Sequence, residues 1–440
     1  MNTPIFDFIE RYVQGGALRL HMPGHKGKGT GPLSSVQPFD ITEIKGADSL
    51  YDAQGIIKES EENASRLFGS EATLYSGGGS TLCIQTMLAL AARPGSTVIA
   101  ARNAHKAFVN ACVLLDLGVE WVFPQKGVLR DIVSFDYTPE DIERAILSVK
   151  EPSCVYITSP DYYGRVADVK AVSEVCRKYE LPLLVDNAHG AHLAFLEENR
   201  HPLALGADMC CDSAHKMLPV LTGGAYLHIQ NRRFIPEAKD AMALFGSTSP
   251  SYLLLCSLDL CNRYLAEDAR RDLKRAAQGI ACLKERLAGR YEAVESEPLR
   301  LTLHTSPLGM TGTGLAQLLR KKNIECEYAD HGHIVLLFSS MDSKAEFDAV
   351  YRALADIPAA PPLSEEAFAL QTPERILSIR QASLTENETV PVEKSVGRIC
   401  GKTRILCPPG IPVVVAGEKI SENCMNILKG YSILTVNVVK

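Results

Sequence analysis

Between residues 97 and 229, short apolar runs of β type alternate with helical stretches, and this alternation constrains the fold more than any other feature of the chain. Thr97 to Ala101, Val119 to Phe123, Cys154 to Thr158, Leu183 to Val185, Met209 to Cys211 and Ala225 to Ile229 read as strands. Lys106 to Leu117 and Val169 to Tyr179 have helical spacing, and Gly118 reads as the C-terminal cap of the first of these helices. Strands separated by helices of this length imply crossover connections, so the pattern predicts an α/β fold with a mostly parallel sheet. Open sheets of that kind bind ligands beyond the carboxyl ends of their strands. Polar residues gather there: Asp186 follows Leu183-Leu184-Val185, and Asp212, Ser213, His215 and Lys216 follow Met209-Cys210-Cys211.

Beyond about residue 260 the pattern changes. Arg263 to Arg290 reads as one long charged helix, followed by short strands at Leu301 to His304 and His333 to Phe338 around a helix from Gly314 to Lys322. This is the signature of a smaller α+β domain. Ala359-Ala360-Pro361-Pro362 is a break, and the remaining segment, containing CPPGIPVVVAGE, reads as a further small unit.

Composition removes several classes of function. A net charge of -6 with no long basic run argues against nucleic acid or an anionic membrane as a partner. No apolar run approaches the roughly 18–20 residues of a membrane helix, and MNTPIFDFIERYVQGG has neither the basic nor the apolar region of a signal peptide. Thirteen cysteines, an odd number scattered through apolar stretches, suit buried free thiols in a reducing cytoplasm. No C-x2-C pair occurs, so no structural zinc or other metal site is expected. The adjacent Cys210 and Cys211 fit a strand interior better than redox chemistry, given their apolar neighbours.

Four features carry chemistry. Ser76-Gly77-Gly78-Gly79-Ser80-Thr81 precedes a helical stretch running to Ala92. Glycines let a backbone close on an anion, hydroxyls add donors, and a helix N-terminus offers free N–H groups, so the loop has the form of a phosphate cradle. It is neither a Walker A loop nor G-x-G-x-x-G, and a plain flexible helix cap is the bland alternative. Asp186 ends a strand, where a carboxylate caps a helix or binds a ligand. Lys216 lies near a strand end among apolar residues, where desolvation favours amine chemistry over the usual surface role. His105, in ARNAHK, lies at another strand end. Pyridoxal phosphate needs a phosphate site, a lysine to hold its aldehyde, a carboxylate for its pyridine nitrogen and a flat face for its ring. Gly79, Ser80 and Thr81, then Lys216, Asp186 and His105, supply these in turn.

LRLHMPGHKGKG, DITEIKGADSLYDAQGII, RNAHKA, TSPDYYG, DNAHGAH, DSAHKMLPVLTGGAYLHI, GSTSPSY and PPGIPVVVAGE together resemble the ornithine/lysine/arginine decarboxylase family in its short bacterial form. The resemblance runs from about Leu18 to Glu418. It implies a fold-type I pyridoxal-phosphate enzyme: a large domain with a mostly parallel seven-stranded-type sheet, plus small C-terminal α+β domains. The boundaries it suggests are 1–45 for an N-terminal segment closing the active site at a dimer interface, 46–290 for the large domain, 291–360 for the small domain and 361–440 for the family's C-terminal domain.

By the resemblance, Lys216 would hold the cofactor, Asp186 would pair with the pyridinium nitrogen and His105 would stack on the ring. Gly79, Ser80, Thr81, Ser213 and His215 would serve the phosphate, and His189 would lie beside the cofactor or the substrate carboxylate. His21 to His25, with Asp40 to Glu43, would help close the site. Ser247 and Thr248 would reach the phosphate of a second subunit, giving an obligate homodimer with shared active sites. The reaction implied is α-decarboxylation of arginine, lysine or ornithine. An aminotransferase or aldolase, or an inactive regulatory homologue, is the alternative. Glu327, Asp330 and Glu418 are candidates for the substrate's distal cation. The chain departs from the family pattern at Tyr51, Leu82 and Asn187, and after Glu418.

Overall fold

The computed structural model describes residues 1–123, 137–364, 371–403, 412–431 and 433–440. The Cys407 to Ile411 part of the proline-glycine motif lies outside them. Seven strands, β1 (Ala72–Ser76), β2 (Thr97–Ala101), β3 (Gly118–Val122), β4 (Pro152–Thr158), β5 (Leu183–Asp186), β6 (Met209–Asp212) and β7 (Ala225–Ile229), carry the mostly parallel sheet structure, in the order β1-β7-β6-β5 in one part of the chain and β4-β2-β3 in the other. The helices up to residue 287 are α1 (Pro4–Gln14), α2 (Ile56–Phe68), α3 (Gly79–Ala91), α4 (Lys106–Leu115), α5 (Pro139–Ser148), α6 (Val169–Lys178), α7 (Ala214–Met217), α8 (Ile235–Ala243), α9 (Tyr252–Glu267) and α10 (Ala269–Leu287). Contacts divide the chain into two compact units, residues 1–91 with 182–273 and residues 92–181 with 274–440.

In the first unit β5 and β6 are parallel, while β7 runs antiparallel to both β6 and β1. The reversal has a local cause. Between β6 and β7 the chain forms only the four-residue α7, too short to carry it back across the sheet as a crossover helix would. Strand β1, hidden in the sequence beside the glycine run, pairs with β7 from Ala72–Ile229 to Ser76–Ala225. Buried residues dominate all four strands, as expected for a sheet covered on both faces.

In the second unit β2 lies between β3 and β4, parallel to both. Helix α4 ends two residues before the position expected for its last residue: Asp116, at φ 56°, takes the left-handed cap, and Gly118 opens β3 instead. A Cβ on Gly118 would stand 3.0 Å from Thr97 Oγ1, which explains glycine there better than a cap does. The long helix expected from Arg263 to Arg290 is two helices, α9 and α10, interrupted at Asp268. The periodic charge pattern continues across the break and conceals it.

A four-stranded antiparallel sheet follows, with β8 (Glu292–Ala293), β9 (Arg300–His304), β10 (Tyr328–Ala329) and β11 (His333–Leu337) in the order β10-β11-β9-β8. A last ribbon pairs β12 (Asn387–Pro391) with β13 (Thr435–Val439) over a core including Val392, Val413, Ile427 and Val438. Among the described residues, no helix is long and apolar enough to cross a membrane.

This C-terminal core is tied to the end of β2 by a buried ion pair. Arg102 is fully buried and donates to both carboxylate oxygens of Glu418, at 2.7 and 2.8 Å. Its Nε donates to the Pro412 carbonyl at 3.0 Å, and its guanidinium carbon lies 4.9 Å from the Trp121 ring centre. Breaking a buried pair by removing one partner strands the other charge, at a cost of about 3–5 kcal/mol. Glu418→Ala should therefore lower stability by roughly that amount in a denaturant titration. Joint replacement of Arg102 and Glu418 by leucine should recover most of the loss, whereas equal stability of Glu418→Ala and the parent would contradict the account.

Candidate active site

Strands β5 and β6 deliver the main groups. Asp186 is the last residue of β5 and lies opposite Cys211 in register, with both side chains on the same face of the sheet. It is 2% exposed and accepts from the Ala188 N–H at 3.2 Å and from the Cys211 thiol at 3.6 Å. Burial pushes the thiols of Cys210 and Cys211 well above their ordinary range, which keeps them neutral in the strand interior, in agreement with the sequence reading.

Lys216 sits in α7, which the Lys216 N–H closes onto the Ser213 carbonyl at 3.0 Å. Its Nζ is 2.9 Å from Nε2 of the buried His189, three residues beyond Asp186. The lysine and both residues of the β5 turn therefore form one group. The Ser213 hydroxyl donates to that of Ser80 at 2.8 Å, joining the β6 turn to the first turn of α3. Gly79 opens α3 at φ 65°, a conformation that strains any residue with a side chain, and its N–H donates to the Gly223 carbonyl at 2.9 Å. Thr81 is exposed on the same turn. Two hydroxyls from different loops meeting at a helix N-terminus are what a phosphate needs. His215 is partly committed elsewhere: its Nδ1 donates to the Gly224 carbonyl at 3.0 Å.

The chemistry of this set fits pyridoxal phosphate: a half-buried amine for the aldehyde, a buried carboxylate for the ring nitrogen, and hydroxyls at a helix start for the phosphate. Ser247 and Thr248 are exposed, between α8 and α9, where the Ser247 hydroxyl accepts from the Ser249 N–H at 3.2 Å. In the second unit His105 is the exposed N-cap of α4, its Nδ1 accepting from the Ala107 N–H at 3.1 Å.

The three acids considered for the substrate's distal cation differ. Glu418 is spent on Arg102 and on the Val415 N–H. Asp330 accepts from the Tyr163 and Tyr328 hydroxyls, at 2.6 and 3.0 Å, and from the Gly332 and His333 N–H groups. Burial raises its pKa, but the His333 and Tyr163 hydrogen bonds outweigh that effect and hold the carboxyl below its ordinary range. Glu327 is half-buried and accepts from the Tyr162 hydroxyl.

A buried polar cluster went unassigned in the sequence. Asp212 accepts from Asn187 Nδ2 at 2.6 Å, His201 Nε2 at 3.1 Å and His228 Nε2 at 3.2 Å. The signal for it was His228 inside the otherwise apolar strand Ala225–Ile229, since a buried imidazole requires a polar partner.

The model of the Orn/Lys/Arg decarboxylase major domain matches residues 3–299, and that of the Orn/Lys/Arg decarboxylase C-terminal domain matches residues 365–434. An arginine decarboxylase of Halalkalibacterium halodurans is 31% identical, over 96% of this chain and 91% of its own length. An arginine decarboxylase of Bacillus subtilis is 29% identical over the same shares. The crystal structure of a lysine decarboxylase of Francisella novicida superposes with a TM-score of 0.83 at 16% identity, covering 100% of this chain and 81% of that one. At that identity the likeness is one of fold.

Reduction with borohydride should fix pyridoxal phosphate to Lys216, so intact mass and peptide mapping should show the adduct on this residue. Lys216→Ala should show none and should lose turnover. A full adduct in the variant would contradict the assignment.

Proposed function

The chain belongs to the Orn/Lys/Arg decarboxylase family, and from that premise we propose that it removes the α-carboxylate of arginine as CO2 and releases agmatine. It is a pyridoxal-phosphate-dependent amino acid decarboxylase. The choice of arginine rests on one observation: the relative named for arginine that is 31% identical, matched along 96% of this chain.

The bound cofactor supplies an electron sink for the pair left on the α-carbon when CO2 departs. The chain's residues do the rest. The Lys216 amine would hold the cofactor through its aldehyde. His189, 2.9 Å away, steadies that amine and can take or return a proton at Nζ. Asp186, buried at the end of β5, is assigned to hold the ring nitrogen protonated. Ser80, Thr81 and Ser213 are assigned to the phosphate, and His105 to the ring face. Of the three acids, Glu327 is retained for the guanidinium: Glu418 is paired with Arg102 and Asp330 accepts four hydrogen bonds, whereas Glu327 is half-buried with the Tyr162 hydroxyl on one oxygen.

The working form is proposed to be a homodimer in the cytoplasm with shared active sites. Support comes from the LRLHMPG segment, where Leu18, Leu20 and Met22 are 75%, 83% and 69% exposed and want an apolar cover. A second copy is the assigned cover, and Ser247 and Thr248 are assigned to the neighbouring subunit's phosphate.

Initial rates with arginine, lysine and ornithine, with products identified by mass, test the substrate. Agmatine as the dominant product is expected; cadaverine or putrescine in its place would contradict the choice. Asp186→Asn should retain cofactor and lose roughly a hundredfold or more in kcat, since an amide cannot stabilise the ring's positive charge. Mixing Lys216→Ala with a Ser247→Ala/Thr248→Ala variant, each inactive alone, should restore part of the activity through hybrid dimers. No rescue despite demonstrated subunit exchange would contradict the shared site.

A further inference from the structure

Strands β5 and β6 part at their carboxyl ends. The last backbone bond between them is the Asn187 N–H donating to the Cys211 carbonyl at 3.0 Å. Beyond it, one chain carries His189 and the other carries Ser213 and Lys216, and both must hold their groups in register without help from the ladder. The first bond past the ladder joins side chains, Asn187 Nδ2 to Asp212 Oδ1 at 2.6 Å. Asn187 and Asp212 are both fully buried.

We infer that Asp212 is a positioning residue, which through Asn187 fixes the turn carrying Asp186 and His189 against the segment carrying Lys216. The inference rests on the cofactor site proposed above. Three observations carry it. First, Asp212 is itself anchored: its Oδ2 accepts from Nε2 of both His201 and His228, and Thr73 Oγ1 lies 2.8 Å from His228 Nδ1. Because a carboxylate only accepts, both imidazoles must present N–H at Nε2. Second, the Asn187 amide oxygen has no partner among the described residues, so the bond to Asp212 alone orients this side chain. Third, the bonds close a circuit. Asn187 to His189 on one chain and Asp212 to Lys216 on the other are joined at one end by the amide–carboxylate bond and at the other by His189 to Lys216, at 2.9 Å. Loosening the first joint loosens the second.

Burial raises the Asp212 pKa, but the two histidines outweigh it and hold the carboxyl far below its ordinary range. The anchor is therefore a carboxylate at every pH at which the enzyme works. Asn187→Asp would set two carboxylates against each other, and Asp212→Asn would set an amide N–H against either the Asn187 amide N–H or, if rotated, the two imidazole N–H groups. Exchanging the two residues keeps every bond. Asn at 212 then donates to Asp at 187, while its oxygen still accepts from both imidazoles.

The test uses the holoenzyme in four variants: Asn187→Ala, Asn187→Asp, Asp212→Asn and the exchange Asn187→Asp/Asp212→Asn. Asn187→Ala is the mildest, since Asp212 keeps both histidines. The single variants should lose of order a hundredfold in kcat with KM little changed, the scale of an ångström-sized misplacement. They should also shift the pH midpoint of the visible cofactor band and weaken its circular dichroism. The exchange should return kcat to within about tenfold of the parent, well inside the roughly hundredfold loss of the single variants, and should restore the band. Parental band, midpoint and kcat in folded Asn187→Ala would overturn the inference, as would an exchange no better than the worse single variant. Hydrogen exchange of apoprotein peptides covering 187–189 and 213–216 gives a readout independent of the cofactor. Faster exchange in both segments of Asn187→Ala is expected, and unchanged exchange would overturn the inference. If the parent binds no cofactor, the proposed function fails while this measurement still decides the brace.

Discussion

The Asn187 N–H donating to the Cys211 carbonyl at 3.0 Å is the last rung between β5 and β6, and the site depends on what happens beyond it. Parallel strands bring their carboxyl ends to one edge, so consecutive β–loop segments present polar side chains there without any of them being neighbours in sequence. Asp186 and Lys216 are thirty positions apart, and Lys216 meets the turn that Asp186 opens at His189, 2.9 Å away. Once the ladder ends, side chains must replace backbone bonds. The buried carboxylate of Asp212, held by two imidazoles, is the replacement this chain uses.

The second unit uses a buried charge in the same way. Arg102 and Glu418 lie 316 positions apart, and their bidentate pair binds the C-terminal core to the turn that leads into His105. Asp330 likewise serves as a hub for two tyrosines and two backbone N–H groups, rather than as an open acceptor. In both cases an acid suited to a substrate cation in composition is consumed by structure.

These roles mark how far the sequence could be read. Strand ends, the glycine run before α3 and the Ser213-to-Lys216 motif are local patterns, and local patterns revealed the mostly parallel sheet and singled out Lys216 and the loop at Gly79 as candidates. What stayed hidden depends on register or on distant partners. The direction of β7 follows from the shortness of α7, and the break at Asp268 lies within an unbroken charge period. The meeting of Asn187 with Asp212 follows from β5 pairing with β6, and the saturation of Glu418 from a contact across the length of the chain. The departure noted at Asn187 acquires a physical meaning once its partner is seen to be a carboxylate, because an amide donates where an acid would repel.

In the proposed reaction this group of residues breaks the bond between the α-carbon and its carboxylate and returns a proton to that carbon. Turnover of arginine in D2O, with CO2 and the amine quantified together, tests it most directly. Equimolar CO2 and agmatine, with one deuterium on the carbon that lost the carboxylate, is the result expected. A 2-keto acid with no CO2 would show transamination in its place and contradict the account.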